Sequence, residues 1–292
     1  MKQFLIFTVK TLLLTFLVLV ILDVVYTQVY LQSNHRGKID YVYNSKARNY
    51  DVVILGSSRA NNHFVAPMFA DKGLKIFNFG MSGGHLFEAS LLLQLMIERK
   101  YIIRNVIVEA DLNLSYEGRA DGVAAKFLPY IHQSETIKNH FSGESDFFAC
   151  YYVPFYRYIA YETKIGFREA FFTAIHKEGV GFKNLGYYPL GVNPKANMKN
   201  DIRNLKPVRN KHYENIKRLC KENKINLIAI MTPMCSNTNG LDYFQKVNTI
   251  YPEIHNYEDV VQGDQYFSSC GHLNDTGARL FTKIILKDFF KK

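Results

Sequence analysis

The stretch DVVILGSSR, residues 51–59, decides the fold. An apolar run with no alternation reads as a strand buried on both faces, and the Gly56-Ser57-Ser58 after it stops the strand abruptly. The same pattern recurs along the chain. KIFNF (75–79) ends in Gly80-Met81-Ser82-Gly83-Gly84, VIVEA (106–110) ends in Asp111-Leu112-Asn113, and INLIAIM (225–231) closes on Thr232-Pro233. A weaker fifth strand is expected at 254–257. Between these strands, residues 64–71 suit a short helix, and 86–98 place Ala89, Leu92, Leu93, Met96 and Ile97 at helical spacing. Tyr213, Ile216, Leu219 and Cys220 line one face of a basic helix. A last helix over 276–289 collects Leu280, Phe281, Ile284, Ile285 and Phe289 on one face. Strands alternating with helices, joined by right-handed crossovers, give a parallel sheet. The expected class is therefore α/β: a three-layer, doubly wound, parallel five-stranded sheet with strand order 2-1-3-4-5.

Upstream of residue 51 the chain has a different character. Residues 1–31 carry Lys2 and Lys10 and then run from Thr11 to Leu31 with Asp23 as the sole ionisable group apart from tyrosine. That is enough helix to cross a bilayer, and the absence of an A-x-A-like end favours an uncleaved transmembrane signal anchor over a cleaved signal peptide. Lys2 and Lys10 on the short side predict an N-in orientation, with the bulk of the chain in the periplasm or outside the cell, although His35, Arg36 and Lys38 weaken that signal. Residues 32–48 read as a polar, basic, irregular tether. Residues 49–292 form the main domain, interrupted at about 114–204 by an insertion in which aromatic residues from Phe147 to Phe172 crowd together with Arg157, Lys164 and Arg168. The plainer expectation for the insertion is a pair of core helices packed on the sheet; the sharper one is a lid, or a surface resting on the membrane.

Composition narrows the function. The net charge of +10 comes from lysine and arginine scattered through amphipathic segments, and no nucleic-acid-binding motif accompanies it, so a solvated basic surface is expected and nucleic acid is excluded as a partner. Four cysteines, Cys150, Cys220, Cys235 and Cys270, form no C-x-x-C pair. Zinc and thioredoxin-like chemistry are disfavoured, Cys220 falls on a core face, and Cys235 with Cys270 could be bridged in an oxidising compartment, a pairing that spacing alone does not fix. There is no P-loop, no complete G-x-G-x-x-G and no metal-ligand spacing, so no cofactor and no metal are expected.

In an open parallel sheet, ligands gather at the carboxyl ends of the strands, where Gly56 to Arg59, Asn78 to Gly83 and Asp111 to Asn113 all fall. A fourth polar cluster, Ser269-Cys270-Gly271-His272-Leu273-Asn274, precedes the last helix. Taken singly, each is a weak signal: Gly-Ser-Ser is commonly a turn, Gly80 to Gly84 a bend and Asn113 a cap. Arg59 is expected as a solvated helix-start residue rather than an anion clamp, and His63 and His85 as exposed or locally satisfied histidines.

In order and placement, the four clusters resemble the conserved blocks of the SGNH (GDSL-like) hydrolase superfamily over about residues 50–290, minus the insertion, and in particular its membrane-anchored DltD-like envelope acyl-transfer members. The resemblance implies a flavodoxin-like fold in which Gly56-Ser57-Ser58 supplies Ser58 as nucleophile, Asn78 to Gly83 supplies Gly83 as a backbone oxyanion donor, Asn113 supplies an amide donor without its usual G-x-N-D setting, and His272 is the base. Where the family has an Asp before that His, this chain has Ser269. A Ser-His dyad oriented by the Ser269 hydroxyl or a backbone carbonyl, recruitment of another acid, Asp264 or then Asp259, and loss of catalysis all stay open. The implied activity is ester hydrolysis or O-acyl transfer on cell-envelope carbohydrate, with a membrane acyltransferase as a further partner. The reading from a different class is an inactive SGNH-like binding or scaffold subunit of an envelope-polysaccharide assembly.

Overall fold

The computed structural model describes residues 1–291, and its contacts divide the chain into two units. The larger comprises Lys46–Ala120 with Val180–Lys292 and holds a sheet of β1 (Asn49–Leu55), β2 (Ile76–Asn78), β3 (Ile102–Glu109), β4 (Asn226–Met231) and β5 (His255–Asn256). The order is β2-β1-β3-β4-β5, and every pair is parallel. Val52, Ile54, Ile107, Ile228 and Ile230 pack on one side with Phe64, Phe281 and Ile285. Their alternating neighbours Val53, Leu55, Val106 and Val108 are fully buried too, which is why these strands read as continuous apolar runs. The α/β doubly wound class expected from the sequence is the one observed.

The chain leaves β1 for β2 on one side and then returns to place β3 on the other, so the strand order reverses between β1 and β3. A crevice opens at the carboxyl ends of strands at such a point.

Several boundaries differ from expectation for physical reasons. β3 begins at Ile102, earlier than the apolar run, because its first half is an exposed stretch, with Ile102 62% accessible, that still pairs with Asn49 and Tyr50 of β1. The expected helix over 64–71 is present as Ala66–Ala70, with Pro67 in its first turn, and an unexpected short helix, Ser58–His63, precedes it. In the final helix, Asp275–Phe289, Leu280 lies off the buried face, which is built instead from Ala278, Phe281, Thr282, Ile285 and Leu286.

The other unit joins Met1–Ser45 to Asp121–Gly179. The middle of the aromatic insertion is thus a partner of the N-terminal helix, not a pair of long helices on the sheet, and it is cut into short pieces: Glu135–Phe141, Phe147–Tyr152, Tyr156–Ala160, Glu162–Ile165 and Phe167–Ala174. The stretch 32–48, expected to be irregular, contains the helical turn Lys38–Tyr43, whose Ile39, Val42 and Tyr43 are buried. The N-terminal helix, Lys2–Leu31, is long and apolar enough to cross a membrane. Its large side chains are exposed as far as Val25, and burial begins at Thr27. Around that point the Asp23 carboxylate accepts the Phe155 N–H at 2.7 Å and pairs with Arg157 at 2.7 Å, the Arg157 guanidinium donates to Thr27 Oγ1, and Thr27 meets the Tyr158 hydroxyl at 2.8 Å. The one acid of the apolar run is therefore a docking residue.

Candidate active site

β1 ends at Leu55, and Gly56, with φ of +139°, turns the chain into the Ser58–His63 helix. No larger residue fits at Gly56, because a Cβ would lie 2.8 Å from Glu109 Oε2 and 2.9 Å from the Ala60 Cβ. Ser57 caps the helix by accepting the Arg59 N–H on its side chain, and Ser58 is its first residue. Phe267–Ser269 and His272–Leu273 form a small antiparallel hairpin that brings His272 to Ser58 from 214 positions away in the chain. Ser58 Oγ and His272 Nε2 are 2.8 Å apart. On the far side of the ring, Ser269 Oγ lies 3.4 Å from Nδ1, so the hydroxyl stands where a carboxylate would otherwise orient the imidazole. Asp264 and Asp259 are exposed, and neither hydrogen-bonds to that ring among the described residues.

A disulfide joins Cys235, in the loop after β4, to Cys270, two positions before His272. Holding that hairpin by a covalent link 35 residues long in sequence restricts the unfolded chain. Reduction is expected to lower stability by about 2–4 kcal/mol, measurable from the urea midpoint and m-value fitted separately with and without thiol. Cys150 and Cys220 stay as buried thiols.

Loop 80–84 lies against the Ser58 helix. The Met81 N–H donates to the Gly56 carbonyl at 2.9 Å, Asn61 donates to Ser82 Oγ at 3.2 Å, and a Cβ on Gly80 would strike the Asn61 nitrogen at 2.5 Å. Asn78, at the end of β2, fixes this approach by donating to the Ala60 and Phe64 carbonyls and accepting the Gly80 N–H. Gly83 is exposed at the open rim of the loop with φ of +76°, and no atom lies within 4 Å of where its Cβ would be. Asn113, on the turn Leu112–Ser115 after β3, reaches the same neighbourhood indirectly: its amide donates to Glu109 Oε1 at 3.5 Å, while the Ser57 N–H donates to Glu109 Oε2 at 2.7 Å.

Beneath the serine sits a charge cluster that the sequence reading did not assign. Glu109 and Asp111, two apart at the end of β3 and so on one side, are both fully buried and hydrogen-bonded to each other. Burial and the adjacent Asp111 charge push the Glu109 carboxyl well above its ordinary range, so it is neutral and donates. Burial would raise Asp111 as well, but the Arg59 guanidinium overrides this and holds it ionised. Arg59, expected at the surface, is only 4% exposed. Its Nε bonds the Thr232 hydroxyl at 2.9 Å and approaches Asp111 Oδ2 at 3.1 Å, while Nη2 reaches the Thr232 and Pro233 carbonyls at 2.7 and 3.1 Å. With its donors committed inward, it is an internal strut between the Ser58 helix and β4, not an anion clamp. The signal available in sequence was two acids and an arginine placed at the ends of apolar parallel strands, where an ion must find a partner.

Two histidines complete the surroundings. His63 is fully buried, accepts the Leu273 N–H on Nε2 at 3.1 Å, and stands edge-to-face with His272 at 6.1 Å. Burial, with Arg59 and His272 nearby, drives its pKa well below the usual value. His85 contacts the Gly118 carbonyl at 3.1 Å, a locally satisfied histidine as expected. Burial and then the Arg59 charge also lower His272, so it is neutral near pH 7 and its Nε2 can accept a proton from Ser58 when Nδ1 carries the ring hydrogen. An open hollow of about 590 Å³ bordered by Lys72, Lys283 and Lys287 includes neither member of the pair. Among the described residues, no group of His, Cys, Asp or Glu is arranged to hold a metal ion. No protein-family model matches this chain, and no curated protein matches it either.

Proposed function

We propose that this chain is a membrane-anchored SGNH-type serine esterase or O-acyltransferase, acting on acyl esters of cell-envelope carbohydrate through a Ser58–His272 dyad. The observation that carries the reading is the 2.8 Å contact between a serine at the strand-order reversal and a neutral histidine. Ser58 Oγ attacks the acyl carbonyl as His272 Nε2 takes its proton, and the oxyanion donors assigned by the resemblance are the backbone N–H groups of Ser58 and Gly83 and the Asn113 amide, which would turn from Glu109 to the substrate. His272 then gives the proton to the departing alcohol oxygen, leaving an acyl-serine. Water as acceptor completes hydrolysis, and a sugar hydroxyl completes transfer. Ser269 holds the Nδ1 hydrogen in place of the family's carboxylate. The Cys235–Cys270 bridge fits an oxidising compartment, and Lys2 and Lys10 in the N-terminal third of Lys2–Leu31 support an N-in orientation with the Ser58 unit outside the cytoplasm.

Because protonated His272 cannot accept from Ser58, kcat/KM is expected to fall with acidification through a midpoint below 6.5 and to be flat above it. A midpoint above 6.5 in the pH–rate profile would contradict the burial and Arg59 effects that depress this ring. The reaction is tested on O-acetylated polysaccharide, scoring acetate release: wild type releases acetate and Ser58→Ala does not. The absence of Ser269's acidic counterpart favours the second reading, a carbohydrate-binding scaffold subunit, in which both proteins bind the polymer equally and neither releases acetate.

A further inference from the structure

We propose that the short helices of the aromatic insertion form an interfacial foot lying in the headgroup and upper acyl region of the bilayer that Lys2–Leu31 spans; this rests on that helix being the span. From Lys2 to Asp23 the helix rises about 32 Å at 1.5 Å per residue, close to the roughly 30 Å hydrocarbon thickness of a bilayer, and Lys10, in the inner half, snorkels back to the inner headgroups. Asp23 is therefore at the membrane surface, and its carboxylate is bonded to the Phe155 N–H and to Arg157. That fixes the level of the chain around residue 155 relative to the lipid. The side chains flanking this point are large, apolar and exposed: Phe148 70%, Tyr152 60%, Val153 40% and Ile159 60%. Tyr26, one turn beyond Asp23 on the same helix, stands edge-on against Phe155 at 4.9 Å, so the insertion packs directly on the helix at this level.

The helix Phe167–Ala174 repeats the arrangement. Its buried residues are the small Ala170 and Thr173, while Phe167 and Phe171, one turn apart, are 69% and 50% exposed, the reverse of a helix built to face water. Arg168 and Lys177 lie over the Phe172 ring at 5.6 and 4.2 Å, setting cations beside aromatic rings as an anionic headgroup layer favours. Tyr30, farther along Lys2–Leu31 at the headgroup level, donates to the Ile165 carbonyl just before this helix. Both exposed faces are thus attached to the outer end of one membrane helix, which makes the bilayer surface their occupant. The foot would restrain the anchor's tilt.

The chain has no tryptophan, so a single one introduced at a chosen site reports on that site alone. Full-length Phe148→Trp and Ile159→Trp, each in nanodiscs of phosphatidylcholine and phosphatidylglycerol holding one copy, are compared with Leu13→Trp in mid-span. Nitroxide on the headgroup or upper acyl chain is expected to quench both insertion tryptophans strongly, nitroxide near the chain end to quench Leu13→Trp, and aqueous iodide to quench none of the three. Insertion tryptophans open to iodide and untouched by any lipid nitroxide, while Leu13→Trp responds as stated, would overturn the proposal. Shielding from both quenchers in single-copy discs would overturn it as well, since protein rather than lipid would then cover the face. Neither result bears on the Ser58 chemistry, which is read by acetate release.

Discussion

Replacing His272 with alanine is expected to slow acyl-ester turnover by about 10²–10⁴-fold, the range contributed by a positioned general base. The serine hydroxyl is a poor nucleophile unless its proton is taken in the transition state, and Nε2, at 2.8 Å, is the group in this structure placed to take it. The loss should fall on kcat, with KM little changed, because in the proposed reaction the imidazole acts on the Ser58 hydroxyl rather than on the bound ester. The same geometry predicts the effect of restoring an acid. Ser269→Asp puts a carboxylate behind Nδ1, where the hydroxyl now stands at 3.4 Å, and is expected to raise turnover and move the acidic limb of the pH profile upward, since a nearby negative charge favours the imidazolium. Steady-state kinetics of both variants check this; an unchanged rate for His272→Ala would remove the histidine from the reaction.

The second large effect is on folding. Arg59→Ala is expected to cost about 3–5 kcal/mol, the usual penalty for breaking a buried ion pair by removing one partner. The substitution strips the cation from Asp111 and leaves the Thr232 and Pro233 carbonyls without their guanidinium donor, all in a region closed to water. Glu109 cannot compensate, being neutral already. Asp111 should then be protonated at neutral pH, and because the folded pKa has risen, the deficit grows as pH rises from the unfolded value near 3.8 through the new folded one. Urea unfolding of wild type and variant at two pH values measures both terms, and a deficit below about 1 kcal/mol would place Arg59 among surface residues after all.

The sheet was legible because its four main strands are built on apolar runs without alternation that end in glycine or polar residues, a pattern that parallel strands buried on both faces require. The Ser58–His272 approach was legible only as order and placement: nothing local in Ser269 to Asn274 says that a hairpin will carry His272 to β1. The Ser58–His63 helix escaped because SRANNH is polar in composition yet buried at Arg59, Asn61, Asn62 and His63, each held by partners distant in sequence, which periodicity does not register. Arg59 was misplaced for the same reason. The insertion misled differently. Its aromatic density favoured core helices packed on the sheet, whereas the structure ties it to the N-terminal helix through Asp23, a single acid in an apolar run whose partner Arg157 lies 134 positions away.

The central claim is that Ser58 is a nucleophile made reactive by His272. It is tested most directly by treating folded full-length protein with a fluorophosphonate and locating the adduct by mass. The account predicts stoichiometric modification of wild type on Ser58, none in Ser58→Ala and greatly slowed labelling in His272→Ala. A wild-type protein that keeps its fold and its Cys235–Cys270 bridge yet leaves Ser58 unmodified would contradict it.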